Sequence, residues 1–228
     1  MCINTKASDV PTLSKRKSIG FWYSPNISYR YLNNQLGNNN TSNIISYRNT
    51  NERPKYGYQL GLNYAYFLNE QVSLEIGLGR TNWGYRNPNL IFGDDIDTTG
   101  YIGRSTIIYN FHYFDMPLKF QYGIGKGKWR FALTAGFSFQ YLTDLKWKRI
   151  SKKYSGEVEI ERHTSQYNGR KFNLAPMLGL GVQYFADAYW NIQLKPTYRY
   201  GVISLNNTTL TENLWSLGVD IGVNYLFD

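Results

Sequence analysis

Apolar and polar side chains alternate along most of the chain with a period of two residues. In the clearest run, 55–68, Tyr or Leu occupies every even position, and Gly, Gln, Asn or Ala occupies the odd positions from 57 to 65. Successive side chains of a β-strand point to opposite faces, so this period predicts a strand with one apolar face. The run is much longer than the ~5–6 residues of an ordinary strand and suits a tilted strand that crosses a bilayer.

The same alternation recurs along the whole sequence. The predicted strands cover 18–31, 55–68, 71–85, 106–122, 129–142, 172–184, 190–203 and 214–227. Long polar links fall at 32–54, 87–104, 143–169 and 204–212, and short links fall at 69–70, 123–128 and 186–189. This strict alternation of long and short links predicts an all-β fold, an eight-stranded antiparallel up-and-down transmembrane β-barrel. Its long loops would lie at one end and both termini at the other.

Composition decides between a membrane protein built from helices and one built from strands. No stretch approaches the ~18 consecutive apolar residues that a spanning helix needs. The mean hydropathy of −0.47 is low, as expected for a barrel, because only every second residue of a membrane strand has to be apolar. The single cysteine, Cys2, excludes an internal disulfide.

Two regions follow from the pattern. Residues 1–17 are polar and are predicted to be a disordered or periplasmic segment, and 18–228 are predicted to form the barrel. The expected location is the outer membrane of a Gram-negative bacterium. No apolar leader begins the sequence, so we expect that a leader was removed or lies upstream.

Aromatic residues mark both ends of the predicted apolar bands, as the interfacial girdles of membrane barrels do. At the long-loop end they are Tyr29, Tyr56, Trp83, Tyr85, Tyr109, Tyr141, Phe172, Tyr198, Tyr200 and Trp215. At the short-turn end they are Tyr66, Tyr122, Trp129, Tyr184, Trp190, Tyr225 and Phe227. Trp22 falls instead on the inner face. The phase of Ile107–His112 differs from that of Met116–Tyr122, which predicts a β-bulge near Phe114 and Asp115.

The predicted inner faces carry charged side chains. The charges that we expect to pair inside the lumen are Glu75, Asp115, Lys119, Arg130, Lys195, Arg199 and Asp220, and Arg30 and Arg80 are assigned to the same face. An eight-stranded barrel is only just wide enough for its side chains to fill, and unpaired charges there would be costly. We interpret this set as a polar plug. The alternative is a narrow pore, which the excess of Arg and Lys would make selective for anions.

The third long loop holds a basic run followed by alternating acids. The basic residues are Lys146, Lys148, Arg149, Lys152 and Lys153. Glu157, Glu159 and Glu161 alternate with Val158 and Ile160, which predicts a protruding hairpin with opposed charges across it. A compatible alternative is that the basic arm contacts the phosphates of lipopolysaccharide or a protein partner. Nucleic-acid binding is not favoured, because the aromatic residues lie on strand faces and not within a basic patch.

No catalytic, cofactor or metal site is predicted. Asp94, Asp95 and Asp97 offer oxygen ligands for Ca²⁺, but solvated loop acids are the more common interpretation. Gly123–Lys128 is superficially similar to a phosphate-binding loop, yet it lacks the Gly-Lys-Ser/Thr ending and a following helix. It is predicted to be a hairpin turn. The two histidines form no motif with Ser or Cys, so no catalytic triad is supported.

One segment carries a family resemblance. Tyr113–Phe120 reads YFDMPLKF and is followed by a turn rich in Gly and Lys and by a strand that contains Gly136. This arrangement resembles the small outer-membrane barrels common in Bacteroidetes, which include OmpA- and OmpX-like barrels and the PorT-like component linked to type IX secretion. The ending Val219–Phe227 is similar to the terminal strand that the barrel assembly machinery recognises, although Asp228 follows the last aromatic residue. The resemblance implies the architecture and is poor in information about function.

These observations favour a non-enzymatic outer-membrane barrel with a structural or interaction role, exposed extracellular loops and a plugged lumen. Two alternatives stay open: a PorT-like accessory of protein secretion or outer-membrane assembly, and a narrow anion-permeable channel. A soluble ligand-binding barrel is less favoured, because its apolar side chains would face inward. The expected partners are outer-membrane lipid and lipopolysaccharide, with other outer-membrane or secretion proteins as further candidates.

Overall fold

The computed structural model describes residues 13–14, 16–35, 37, 39–91, 104–152, 157–165, 169–206 and 208–228. Within these residues the chain forms β-strands and one α-helix. The elements are β1 (Lys17–Asn34), α1 (Asn39–Asn51), β2 (Arg53–Phe67), β3 (Val72–Ile91), β4 (Arg104–Ile124), β5 (Trp129–Lys152), β6 (Val158–Ser165), β7 (Phe172–Phe185), β8 (Trp190–Tyr200) and β9 (Leu210–Phe227). In the part of the chain described, no helix is long and apolar enough to cross a membrane.

The strands close into a ring. Each strand runs antiparallel to its neighbours in the order β1-β2-β3-β4-β5-β7-β8-β9, and β9 pairs back with β1. Among the described residues β6 pairs only with the upper part of β5, so it lies outside the ring. The ring therefore has eight strands in up-and-down order, and the predicted fold class is confirmed.

Side chains alternate between the lumen and the outside along every ring strand. On β2, Gln59 is 0% exposed and the next residue, Leu60, is 37% exposed. The strands approach closely where two glycines face each other: Gly61 pairs with Gly79. A Cβ atom on Gly61 would lie 2.4 Å from the carbonyl oxygen of Leu78, so this approach requires glycine.

The predicted bulge near Phe114 and Asp115 lies on the partner strand β5 and not on β4. Burial alternates without interruption along β4, with odd positions inward from Phe111 to Gly123. The extra residue is Thr143 on the partner strand, because Tyr113 pairs with Leu142 and His112 with Asp144. The sequence pattern changes phase on β4 for a different reason: the upper lumen is lined by apolar side chains, so apolar residues there point inward.

The predicted aromatic girdle at the long-loop end is only partly correct. Trp83 and Tyr85 are 0% and 6% exposed and belong to an internal cluster, against which Tyr109 also packs. Trp22 is buried on the inner face, as predicted. Arg80 was assigned to the lumen, but it is exposed and pairs with the outward Phe114. Aromatic character alone does not distinguish a ring at the membrane interface from a ring inside the mouth of the barrel.

On one side of the barrel the strands extend farther beyond the apolar band, at the long-loop end, than on the other side. Residues 86–91 of β3, 104–112 of β4 and 143–152 of β5 continue past the apolar band, and β6 adds a fourth strand. We call this four-stranded sheet the raised wall. Its strands β5 and β6 form the hairpin that the sequence predicts for the third loop. The predicted pairing of opposite charges across it is largely wrong, because only Arg149 faces an acid, Glu161, and Lys148 faces Arg162.

Candidate functional site: the lumen and its outer mouth

Charged side chains from opposite sides of the ring meet in the middle of the lumen. Lys119 on β4 donates to Glu75 on β3 at 2.8 Å, and Arg199 on β8 donates to both carboxylate oxygens of Asp220 on β9 at 2.8 and 3.0 Å. Lys195 Nζ lies 3.9 Å from Glu75, and Lys119 Nζ lies 4.0 Å from Asp220. These cross-lumen contacts join the two pairs into one cluster, which we call the lumen cluster.

Asp115 and Arg130 occupy different positions from the lumen cluster. Asp115 is buried and accepts a hydrogen bond from Ser138. Arg130 lies near the short turns, where its guanidinium donates to the carbonyl of Glu70 at 3.1 Å and lies 4.8 Å from the ring of Phe185. The structure therefore brings together five of the seven predicted lumen charges, namely Glu75, Lys119, Lys195, Arg199 and Asp220. Arg130 instead contacts residues at the base of the barrel.

Amide side chains fill much of the remaining lumen. Asn63 donates to Asn224 at 2.8 Å, and Asn173 donates to Gln140 at 2.8 Å. The space left beside the lumen cluster is a cavity of about 10 Å³, which is room for about one water molecule. It is lined by Trp22, Asn63, Glu75, Lys119, Gln193, Lys195, Asp220, Gly222 and Asn224.

An apolar cluster closes the short-turn end. Leu13, Phe67, Phe185 and Leu226 are buried against one another. The backbone N–H of Leu13 donates to Glu70 at 2.8 Å, and Arg16 forms an ion pair with Asp228 at 3.2 Å. Leu13 and Arg16 belong to the segment that the sequence assigns to a polar N-terminal region, but their contacts join them to the base of the barrel.

The opposite end of the lumen is aromatic. Its buried residues are Trp83, Tyr85, Phe111, Tyr113, Leu142, Ala175, Leu205 and Leu214. Trp83 and Tyr113 meet edge to face, with ring centroids 6.2 Å apart. This cluster lies above the charged layer, and its apolar side chains cannot solvate an ion.

Helix α1 lies over this end and is held by charges. Arg48 donates to Glu52 at 2.7 Å, to Glu212 of β9 at 3.1 Å and to the hydroxyl of Tyr85 at 3.1 Å. Arg30 of β1 donates to the same Glu52. Burial would lower the pKa of Arg48, but the charges of Glu212 and Glu52 hold it above its ordinary value. The helix and the residue that follows it, Glu52, are thus joined to three strands of the ring: β1, β3 and β9.

Sequence reasoning missed α1 and its role at the mouth. The sequence predicts only a long polar link at 32–54, and the helix buries only Thr41 of its own residues. The one usable signal was the spacing of Arg48 and Glu52, which suits an i,i+4 ion pair on a helix.

The predicted basic residues of the third loop lie on the raised wall. Lys146, Lys148 and Lys152 share one face of β5, and Arg149 lies on the other, 3.9 Å from Glu161 of β6. Lys153 lies outside the described residues, as do Asp94, Asp95 and Asp97, the candidate Ca²⁺ ligands. Among the residues that are described, no group of three or more His, Cys, Asp or Glu side chains is placed to hold a metal ion.

Several solved structures and one protein-family model are similar to this chain. Ail, the attachment invasion locus protein of Yersinia pestis, is 15% identical, with a TM-score of 0.41 over 94% of this chain and 100% of that one. The N-terminal β-barrel domain of OprF from Pseudomonas aeruginosa is 13% identical, with a TM-score of 0.41 over 92% and 97%. OprG from the same species is 12% identical, with a TM-score of 0.43 over 97% and 99%. No curated protein matches the chain at a significant level. The family model of the outer membrane protein beta-barrel domain matches residues 16–210, from before β1 to the start of β9.

Proposed function

Because this chain belongs to the outer membrane protein beta-barrel domain family, we propose that it is a non-enzymatic structural and interaction protein with a plugged lumen. Its location is the outer membrane of a Gram-negative bacterium, where such barrels reside. The long loops and the raised wall then lie outside the cell, and the beginning of β1 and the end of β9 lie on the periplasmic side. The observation that carries the proposal is the lumen cluster, which joins β3 and β4 to β8 and β9.

The lumen cluster supports a plug. An ion crossing the barrel would have to separate Lys119 from Glu75 and Arg199 from Asp220, and each pair is almost fully buried. Separating buried charges without replacing their partners costs several kcal/mol. The aromatic cluster above and the apolar cluster of Leu13 below add two further barriers.

The external surface supports an interaction role. The strands of the raised wall are longer than a bilayer requires, since β4 has 21 residues and β5 has 24, against the ~9–11 that span a membrane. The parts of these strands that lie beyond the membrane are not needed to cross it. A barrel that neither conducts nor catalyses would act through this surface.

Planar-bilayer recording of the refolded chain tests the plug. We expect no steady conductance from the wild-type barrel. A Lys119→Ser/Lys195→Ser/Trp83→Ser/Phe185→Ser variant, which removes large side chains from the charged layer and from both apolar clusters, is the positive control and should conduct if it keeps its heat-modifiable gel migration. Steady wild-type conductance would overturn the plug and support the narrow channel, and three cations against two acids in the lumen cluster would then favour anions.

A second role, as a PorT-like accessory of secretion or outer-membrane assembly, is supported by the edge of β6. Within the described residues this edge has no strand partner, and Val158 and Ile160 on it are about half exposed. An unpaired strand edge can accept a strand from another protein. Capture of partner barrels after mild solubilisation, compared with a chain in which Ile160 is replaced by proline, would test this role. Equal recovery from both chains would count against it.

A further inference from the structure

The outward face of the raised wall carries a row of cations in register. Arg86 of β3 pairs with Ile108 of β4, Ile108 pairs with Lys148 of β5, and Lys148 pairs with Arg162 of β6. Residues directly opposite each other on antiparallel strands share one face of the sheet. Three positive charges therefore lie in a single line across four strands, which we call the cation row.

Further cations lie below and above the row on the same face. Arg80 lies at the edge of the apolar band beside Phe114, Lys146 lies between the band and the row, and Lys152 lies above it. Asp144 is the one acid on this face among the described residues of the wall, and it lies 3.7 Å from Lys146. The glutamates of β6 are on the opposite face, where Glu161 approaches Arg149. On the hairpin, four of the five described cations therefore face outward, and Glu159 and Glu161 face inward.

Two cations of the row face each other directly. Lys148 stands directly opposite Arg162, and like charges in such a pair repel each other. In the part of the chain described, neither of them nor Arg86 forms an ion pair or a side-chain hydrogen bond. An arrangement of this kind is stabilised by an external anion.

The position of the row indicates which anion. The outward face of the wall is continuous with the lipid-facing side of the barrel, and Ile108 lies six residues above Phe114 on β4. That separation is about 20 Å along the strand, or roughly 15 Å above the apolar boundary for a tilted strand. A phospholipid has its phosphate at the boundary, at the level of Arg80. Only a lipid with further phosphates on a sugar headgroup reaches the cation row as well.

We propose that the outward face of the raised wall binds the phosphates of lipopolysaccharide in the outer leaflet. Arg80 and Lys146 contact the phosphates nearest the acyl chains, and Arg86, Lys148 and Arg162 contact phosphates of the core sugars. Ile108, Ile150 and Ile160 lie between the cations and pack on the sugar rings. This inference rests on the proposed function, because it names one partner of the external surface.

Native mass spectrometry of the detergent-solubilised full chain tests the proposal. The probe is lipopolysaccharide without O-antigen, used as isolated and after chemical dephosphorylation. The test variant is Arg86→Gln/Lys148→Gln/Arg162→Gln. The control variant, Lys17→Gln/Lys126→Gln/Lys128→Gln, removes the same charge from the periplasmic end. Heat-modifiable gel migration identifies folded preparations of both.

We expect the test variant to bind the intact glycolipid about tenfold more weakly or worse, since each cation near an anionic surface contributes several-fold. The control variant should stay within about twofold of the wild type, and wild-type affinity should fall as salt rises. Equal binding by the test variant, or equal binding of the dephosphorylated probe, would overturn the proposal. The proposal would also be overturned if the wild type bound soluble dextran sulfate more tightly than lipopolysaccharide. The outward face of the wall would then be a site for a soluble polyanion. Conductance has no influence on this readout, so failure of the plug and failure of lipid binding are distinguishable.

Discussion

Arg48 of α1 donates a hydrogen bond to Glu212 of β9 at 3.1 Å, and this contact joins the first external loop to the beginning of the last strand. The two residues are far apart in the sequence, and the barrel must close before they can meet. Glu52 lies between Arg48 and Arg30, so two cations and two acids form one group over the aromatic mouth. The helix depends on these charges because it buries almost no apolar surface.

Replacing Arg48 with alanine should therefore release α1 without unfolding the barrel. Glu212 would be left buried without its cation, which is a costly state. We expect hydrogen exchange of residues 39–51 to accelerate by about tenfold or more as the helix opens locally. Tyr47→Ala, which removes an exposed side chain from the same helix, is the control. Unchanged exchange in Arg48→Ala would show that other contacts hold the helix.

Replacing Glu75 with alanine should destabilise the barrel strongly. Lys119 and Lys195 would both lose their nearest carboxylate inside the lumen, and removing one partner of a buried pair costs about 3–5 kcal/mol. The measurement is the urea midpoint of unfolding in lipid vesicles. A Glu75→Leu/Lys119→Leu chain should lose less than the single variant, because both charges leave together. A double variant less stable than Glu75→Ala would contradict the pairing.

Glycine at position 61 should be essential for closure. A Cβ atom there would lie 2.4 Å from a backbone oxygen of β3, so Gly61→Ala must push two strands apart. We expect a clear loss of folded yield and a destabilisation of about 2 kcal/mol or more, the scale of an overpacked core. Gly123→Ala is the matched control, since its nearest atom would be 3.5 Å away. Similar folded yields from the two variants, read as heat-modifiable bands, would rule out this close approach.

Deleting Thr143 should be tolerated. It is the extra residue on β5, so its removal leaves Leu142 opposite Tyr113 and Asp144 opposite His112. Deleting Leu133 instead would shift the strand by one position and turn its lipid-facing residues inward. We expect near-normal folded yield for the first chain and little for the second, measured by refolding into vesicles. Failure of both deletions would mean that the bulge itself is required.

The sequence predicts the ring well because its signal is strictly local. The alternation of apolar and polar residues on β2 and β7 indicates which residues face lipid. The alternation of long and short links predicts the order of the strands. The same rule fails near Trp83 and on the upper half of β4. There the lumen is apolar and the outward face of the raised wall is polar, so the rule that apolar residues face lipid gives the wrong direction.

The chemistry of the site was only partly accessible. That charges in a narrow lumen must pair follows from elementary electrostatics, and Lys119 lies opposite Glu75 as adjacent strands allow. The separate position of Arg130 could not be foreseen, because depth along the barrel axis depends on register. The contact of Lys195 with Glu75 crosses the lumen between strands that are not neighbours.

The sequence alone determined the class of fold, the number of ring strands, their order and the two ends of the barrel, because each depends on contacts within a strand or with the next one. Tertiary structure decided what the ring closure brings together. It placed Glu212 under Arg48, joined Glu75 to Lys195 across the lumen, and aligned Arg86, Lys148 and Arg162 on one outward row. Such contacts depend on the register of several strands at once, and a shift of one residue in any of them would move the side chains to the other face.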